Sequence, residues 1–329
     1  MIEVGSEYKE KLKGQRFVDL FCGIGGFHLA LQSFGARCVF ASDIDAEARK
    51  VYKSNFEIEP QGDIYKIKAD VIPQHDILCG GFPCQAFSIS GTQAGFEDEK
   101  TGKLFFEIIR IAKHHKPKMI LLENVANLEA HDNGKTIKTI LDSLKKIGYR
   151  PYEKILCASD YDIPQYRRRL YIVAFRKDLG VTKFTYPLKM MLSKNLEKVL
   201  EKNHKKTASC VIQRDYHLRD GYKEIEDNCK KPYIRIGEIG LGRQGERIYS
   251  IKGCATTLSS TGGGLGGRTG IYLIDGKIRK LTPRECARLM GFPDTFKIAE
   301  TTNQAYQQFG NSVVVDVLQR IIIEAMRVF

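Results

Sequence analysis

The chain has 329 residues, 43% of them hydrophobic and 28% charged, which suffices for one large domain with an insertion or for two domains. No apolar run approaches the roughly 20 residues of a membrane span, and the polar start from Met1 to Lys13 lacks the apolar centre of a signal peptide, so membrane and secreted classes are set aside. A formal charge of +13 draws polyanions and favours a nucleic acid, although charge alone favours it only modestly.

Phe17-Val18-Asp19-Leu20-Phe21 reads as a first strand, followed by the turn Gly23-Ile24-Gly25-Gly26 and a helix through Leu29, Leu31 and Phe34. Cys38 to Asp43 is a second strand, then a helix runs from Ala46 to about Asn55. Ile77 to Cys79 is a third strand; Leu104, Ile108, Ile111 and Ala112 recur at helical spacing; Met119 to Leu122 is a fourth, continuously apolar strand. Strands separated by helices predict an α/β fold, a parallel sheet with helices on both faces. Ligands of such sheets gather at the carboxyl ends of the strands, where Gly23, Asp43, Gly80 and Glu123 stand. From about Leu192 to Lys277 helical periodicity fades and glycine becomes dense, which predicts a smaller, loop-rich, partly β domain built for contact. Helical character returns at Pro283 to Met290 and from Val313 to Met326, a last helix that should pack back onto the first domain. The expected division is therefore 1–191, 192–277 and a return over 278–329.

Nine cysteines are scattered without a Cys-x-x-Cys pair, and no His pair has ligand spacing, which argues against structural zinc and a disulfide framework and fits a reducing cytoplasm. One of them is presented differently. In Gly80-Gly81-Phe82-Pro83-Cys84-Gln85 the glycines permit unusual backbone angles and clear space for a ligand, and Pro83 stiffens the backbone before Cys84. The small-residue stretch from Ser88 to Phe96 suits a mobile lid. Taken alone, Cys84 is more often a small core hydrophobe near a turn; its neighbours along the chain favour a nucleophile.

The first turn is not a dinucleotide fingerprint, because His28 stands where the third glycine belongs. A nucleoside without a pyrophosphate fits better. Asp43 is placed to accept from a ribose diol, or to cap the helix beginning near Asp45; Asp63, after Gly62, is placed to accept from an adenine amine.

Asp19 to Gly26, Gly81 to Gln85, Glu123-Asn124-Val125, Gln165-Tyr166-Arg167-Arg168-Arg169 and Gln304 to Val313 resemble, in order and over nearly the whole chain, the motifs of the DNA cytosine-C5 methyltransferases. Within that family the likeness is to the HhaI-type enzymes, which modify GCGC, and it extends through Gln244 to Ser250. The resemblance implies a Rossmann-like, S-adenosylmethionine-dependent methyltransferase sheet with a smaller target-recognition domain, acting on double-stranded DNA as the modification enzyme of a restriction-modification system. It further implies a monomer without metal in a bacterial cytoplasm, with S-adenosyl-L-homocysteine as product.

By the same resemblance Phe21, Gly23, Gly25, Asp43, Ile44, Asp63, Ile64, Pro83, Leu104 and Asn311 line the cofactor pocket, with Ile44 where many relatives carry an aromatic against the adenine. Cys84 is the nucleophile that adds to C6 of a flipped-out cytosine. Glu123, desolvated at a strand end, is expected to have a raised pKa and to assist at N3, or else to be paired with an arginine. Arg167 and Arg169, two apart on a strand, are expected to share a face, Arg169 holding the cytosine O2 and Arg167 ordering a loop or a phosphate. Ser88, Ser90, Gln244, Arg247, Tyr249 and Thr257 are the expected DNA contacts, with Ser90 filling part of the vacated space; Ser260-Thr261-Gly262 departs from the HhaI-type pattern. A tRNA cytosine-C5 methyltransferase shares this chemistry, and a non-catalytic nucleic-acid-binding protein is the alternative of a different class. The dense variable segment favours duplex DNA.

Overall fold

The computed structural model describes residues 7–83, 102–202, 207–224 and 233–328. They fall into two compact units. One comprises the chain up to Leu156, Arg168–Pro187 and Leu318 onward; the other comprises Cys157–Arg167 and Leu188–Val317. Residues 278–317, which the sequence returns to the first domain, therefore group with the second unit.

The first unit is built on a six-stranded sheet. In chain order the strands are β1 (Arg16–Leu20), β2 (Arg37–Ser42), β3 (Ile77–Gly80), β4 (Met119–Val125), β5 (Tyr149–Cys157) and β6 (Arg168–Arg176), and their order in the sheet is β2-β1-β3-β4-β6-β5. β2, β1, β3 and β4 run parallel, as the alternation of strands and helices predicts. β6 departs from that pattern and pairs antiparallel with β4, from Met119 opposite Phe175 to Val125 opposite Arg169. All four residues of β3 are buried, which accounts for its continuous apolar run. Val18, Leu20, Leu78, Ile120, Leu122 and Ile172 carry the sheet's share of one core, which Ile108 and Leu144 complete from α3 (Gly102–His115) and α4 (Lys135–Lys146).

Two shorter helices flank the ligand end of this sheet, α1 (Gly26–Gln32) and α2 (Ala46–Phe56). α2 starts where the Asp45 carboxylate accepts the backbone N–H groups of Glu47 and Ala48, at 2.9 and 3.2 Å, so Asp45 and not Asp43 is its cap. From Leu318 onward the last helix groups with this unit, and Gln319 Nε2 donates to Ser33 Oγ at 2.9 Å.

The second unit holds a five-stranded sheet of short strands, β7 (Tyr216–Leu218), β8 (Arg235–Ile239), β9 (Arg247–Ser250), β10 (Ile271–Ile274) and β11 (Lys277–Arg279), ordered β11-β10-β9-β8-β7. Only β9 and β10 are parallel. Its small core is Ile236, Ile239, Ile248, Ile271 and Ile278. The helices of this unit are α5 (Pro283–Leu289) and α6 (Thr302–Asn311), and α7 (Val315–Met326) begins in it. A reciprocal Thr282–Glu285 capping box starts α5, and Thr301 caps α6. Among the described residues no helix is long and apolar enough to cross a membrane.

Candidate active site

At the carboxyl ends of β1 and β2 the chain builds a cradle around one carboxylate. Asp43 Oδ2 accepts the Gly23 N–H at 2.7 Å and Oδ1 accepts the Asp45 N–H at 2.8 Å. Burial raises the Asp43 carboxyl above its ordinary range, and these two N–H groups offset part of that rise. Each oxygen retains a second lone pair for a hydroxyl donor, the pattern a ribose diol requires. The turn that supplies Gly23 is tight: Phe21, Gly23 and Gly25 all have positive φ, at 54°, 52° and 93°. Ile44, beside the carboxylate, is 78% exposed, an apolar face of the kind a base covers. Asp63 Oδ1 accepts the Tyr65 N–H at 3.1 Å, which aims its carboxylate. The segment carrying it runs alongside β2, since the Asp43 N–H donates to Gln61 O at 2.9 Å. These residues fit a nucleoside. Of the residues expected in the pocket wall, Ile64 is buried and belongs to the core, while Pro83 and Leu104 are half-buried.

Asp19 has no assigned role in the sequence reading, yet it lies beneath this turn, fully buried in β1. It accepts the His28 N–H and lies 3.8 Å from Cys79 Sγ. Burial, reinforced by the Asp43 charge, pushes its carboxyl well above the ordinary range. The available signal was an aspartate inside an otherwise apolar strand. His28, the residue that breaks the dinucleotide pattern, is a core residue stacked on Phe56 at 3.9 Å and hydrogen-bonded to the Tyr52 hydroxyl at 2.7 Å.

Glu123 lies within β4 and not at its end, directly opposite Tyr171, with Arg169 diagonal to it on the same face. Arg169 Nε approaches Glu123 Oε1 to 3.2 Å, and both side chains are largely buried. The arginine that pairs with Glu123 is the one expected at the cytosine O2. Asn124, next in the strand, donates from Nδ2 to Phe82 O at 3.0 Å and accepts the Val125 N–H at 2.8 Å, so β4 holds the chain just before Pro83 and Cys84. Gly80 does not use an unusual backbone angle. Its hydrogen is required because a Cβ there would stand 2.7 Å from Leu20 O on the neighbouring strand. Cys84, Ser88, Ser90 and the lid of Ser88 to Phe96 lie outside the described residues. The seven cysteines that are described are all buried and free.

Arg167 does not share a face with Arg169. It precedes β6 and belongs to the second unit, where its buried guanidinium donates to Leu258 O (2.9 Å), Gly310 O (2.9 Å) and Ser312 O (2.6 Å). Backbone carbonyls, not phosphate, are what this arginine orders. Gln165, unassigned from sequence, works beside it, donating to Leu289 O at 3.1 Å and accepting the Leu258 N–H at 3.3 Å. Asn311 ends α6 in the same unit, with its side chain exposed.

Gln244 is exposed on a one-turn 3-10 helix, and Arg247 opens β9. The turn is fixed by a mesh of backbones: Gly266 N–H donates to Gly245 O at 2.8 Å, and a Cβ on Gly245 would stand 2.6 Å from Gly263 O. Tyr249, expected at the DNA face, is buried against Tyr233 and Tyr272, and its phenol hydrogen-bonds Arg247. It orients the arginine and presents no surface of its own. The Thr257 hydroxyl donates inward to Tyr166 O.

Residues 15–327 match the family model described as C-5 cytosine-specific DNA methylase. The chain is similar to the type II methyltransferase M.HhaI of Haemophilus parahaemolyticus, 48% identical over 316 residues that cover 96% of this chain and 95% of that one. It is also similar to the type II methyltransferase M.DsaV of Dactylococcopsis salina, 40% identical over 310 residues, covering 94% and 85%. Among solved structures, the Dnmt2 methyltransferase of S. pombe superposes with a TM-score of 0.70 at 23% identity, over 95% of this chain and 98% of that one, a likeness of fold.

Proposed function

The chain belongs to the C-5 cytosine-specific DNA methylase family, and from that premise we propose that it methylates a flipped-out cytosine within duplex GCGC, with S-adenosylmethionine as donor and Cys84 as nucleophile, as the modification enzyme of a restriction-modification system. The observation that carries the reading is the buried Glu123–Arg169 pair, beside which Asn124 tethers the segment leading to Cys84.

C5 of cytosine is a poor nucleophile until electrons are pushed into the ring. The Cys84 thiolate adds at C6, forming the S–C6 bond, and the ring becomes an enamine that is nucleophilic at C5. Glu123 faces N3 and carries the proton that addition demands there; Arg169 donates to O2 and keeps Glu123 in line. S-adenosylmethionine, when bound, supplies an electrophilic methyl group. After C5 has taken it, a base removes the C5 proton, the C6–S bond breaks to release the Cys84 thiolate, and the N3 proton returns to Glu123. Asp43 would hold the donor's ribose, Asp63 its adenine amine and Ile44 the base, and Phe21, Gly23 and Gly25 shape the turn beneath it. Extrusion of the target base costs a few kcal/mol, recovered through pocket and backbone contacts.

Gln244 has donor and acceptor for the orphaned guanine, and Arg247, steadied by Tyr249, suits O6 and N7 of a guanine in the major groove. Incubation with GCGC duplex carrying 5-fluorocytosine at the inner position tests the chemistry. A covalent protein–DNA adduct is expected from the wild type, because fluorine cannot leave as a proton does, and none from Cys84→Ser. An adduct that persists in the Cys84→Ser protein assigns the nucleophile elsewhere.

A further inference from the structure

We propose that Arg110 on α3, oriented by Glu107, is a positioning residue for the base of the methyl donor, because it fixes the turn that carries Asp63. The proposal rests on the reading of Asp63 as acceptor for the adenine amine.

Residues 61–67 cross the ligand end of the sheet as a short 3-10 turn, with bonds from Lys66 N–H to Asp63 O (3.0 Å) and from Ile67 N–H to Ile64 O (3.2 Å). The start of the segment is tied to β2, where the Gln61 N–H donates to Ala41 O at 2.8 Å and the Asp43 N–H to Gln61 O at 2.9 Å. Ile64 anchors the turn in the core that α3 shares, and the turn's carbonyls are held from α3 by Arg110. Arg110 Nη2 donates to Ile67 O at 2.8 Å and to Ile64 O at 3.3 Å. The same guanidinium is held from behind by Glu107 Oε2, which accepts from Nε at 2.8 Å and from Nη2 at 2.6 Å. An exposed i,i+3 pair on a helix contributes little by itself. This one is partly buried, at 35% and 15% side-chain exposure, and its arginine reaches past the pair to two carbonyls of a single turn. Asp63 stands between the two ties, and its own Oδ1 is already committed to Tyr65 N–H, so the direction of the carboxylate follows the turn. A planar guanidinium can satisfy the glutamate and the carbonyls together; a lysine ammonium, a point charge, cannot do so with the same geometry.

The proposal is tested by titration calorimetry on the full chain with S-adenosylhomocysteine and with S-inosylhomocysteine, in which a carbonyl replaces the 6-amine that Asp63 would accept from. The wild type is expected to prefer the adenosyl compound, and Asp63→Ala to abolish that preference. Arg110→Ala is expected to reduce it about fivefold or more, the scale of one net hydrogen bond, and Arg110→Lys to restore part of it. A loss of packing alone would lower the melting temperature and weaken both ligands alike, leaving the ratio intact, and an intact ratio in Arg110→Ala overturns the proposal. Should that protein not fold, Glu107→Gln retains the arginine but removes the charge that holds it from behind, and must shift the ratio in the same direction by a smaller factor; an unchanged ratio again overturns it. If Asp63→Ala keeps the wild-type preference, the adenine reading itself fails and the proposal falls with it.

Discussion

Asp43 and Glu123 are both shielded carboxylates, and their partners give them different chemistry. Asp43 is held by backbone N–H groups of Gly23 and Asp45 and keeps lone pairs for a neutral donor, whereas Glu123 faces the guanidinium of Arg169. Asp43→Ala should therefore weaken cofactor binding, read as a rise in KM for S-adenosylmethionine, by about 1.5–3 kcal/mol for hydrogen bonds to a charged acceptor. Glu123→Gln should lower kcat with little change in that KM, because it removes a proton carrier and leaves the nucleoside site intact. Equal defects in the two parameters for both variants would contradict this division. Arg247 belongs to the same scale: its replacement by Ala should relax base preference at one position, whereas loss of a phosphate-binding lysine should weaken all sequences alike.

At the scale of elements, α5 is anchored by a buried ion pair. Arg279 donates to both Glu285 oxygens, at 2.8 and 2.7 Å, while Glu285 also accepts the N–H groups of Thr282 and Glu201, each at 2.8 Å. Glu285 is fully buried and Arg279 nearly so. Glu285→Gln leaves a buried guanidinium without its counter-charge and should destabilise the protein by about 3–5 kcal/mol, seen as a lower denaturant midpoint. A change below about 1 kcal/mol would mean that solvent reaches the pair. The first unit's elements were legible because β1 to β4 alternate with helices and carry continuous apolar runs; the glycine and proline before Cys84 single it out in the sequence, and it lies outside the described residues. Asn124, Gln165 and Arg110 were not legible, since a side chain that holds a backbone carbonyl leaves no pattern in the sequence. The antiparallel β6 escaped for a related reason: nothing in Arg168–Arg176 states its direction. Pattern alone does not distinguish a buried tyrosine such as Tyr249 from a presented one, and Arg167 stands one residue before β6, outside its alternation, where it orders backbone as one of its two expected roles has it. The five short strands of the second unit hid behind their glycines, which argue for loops locally and for backbone meshing in the fold.

For the molecule as a whole, membership in a family of DNA methylases resolves the choice of polymer that the catalytic motifs left open, and the charge of +13 suits that partner. Two buried histidines of the first unit make the protein acid-sensitive. Burial holds His28 down to about 3 and His75 down to about 4, the latter with His115 4.8 Å away and Asp76 and Arg16 nearby. Both are neutral in the fold, so the unfolded chain binds their protons first as pH falls below about 6.5, and stability is lost from there down to the folded values. Asp19, pushed up by burial, acts in the opposite sense, costing stability as pH rises past the ordinary carboxylate range, so the histidine contribution is best read by difference. Between pH 7.5 and 5.5 the wild type should lose about 1.4 kcal/mol more than His75→Gln. Parallel pH profiles would show that His75 titrates alike in both states.

The central claim is methyl transfer to C5 of one cytosine in one duplex sequence. Bisulfite sequencing of DNA incubated with the protein and S-adenosylmethionine tests it most directly. Protection of the inner cytosine at GCGC, absent elsewhere and absent with Cys84→Ser, is the predicted result. Conversion of every cytosine would contradict the account at its root, and protection at comparable rates outside GCGC would contradict the assignment of Gln244 and Arg247.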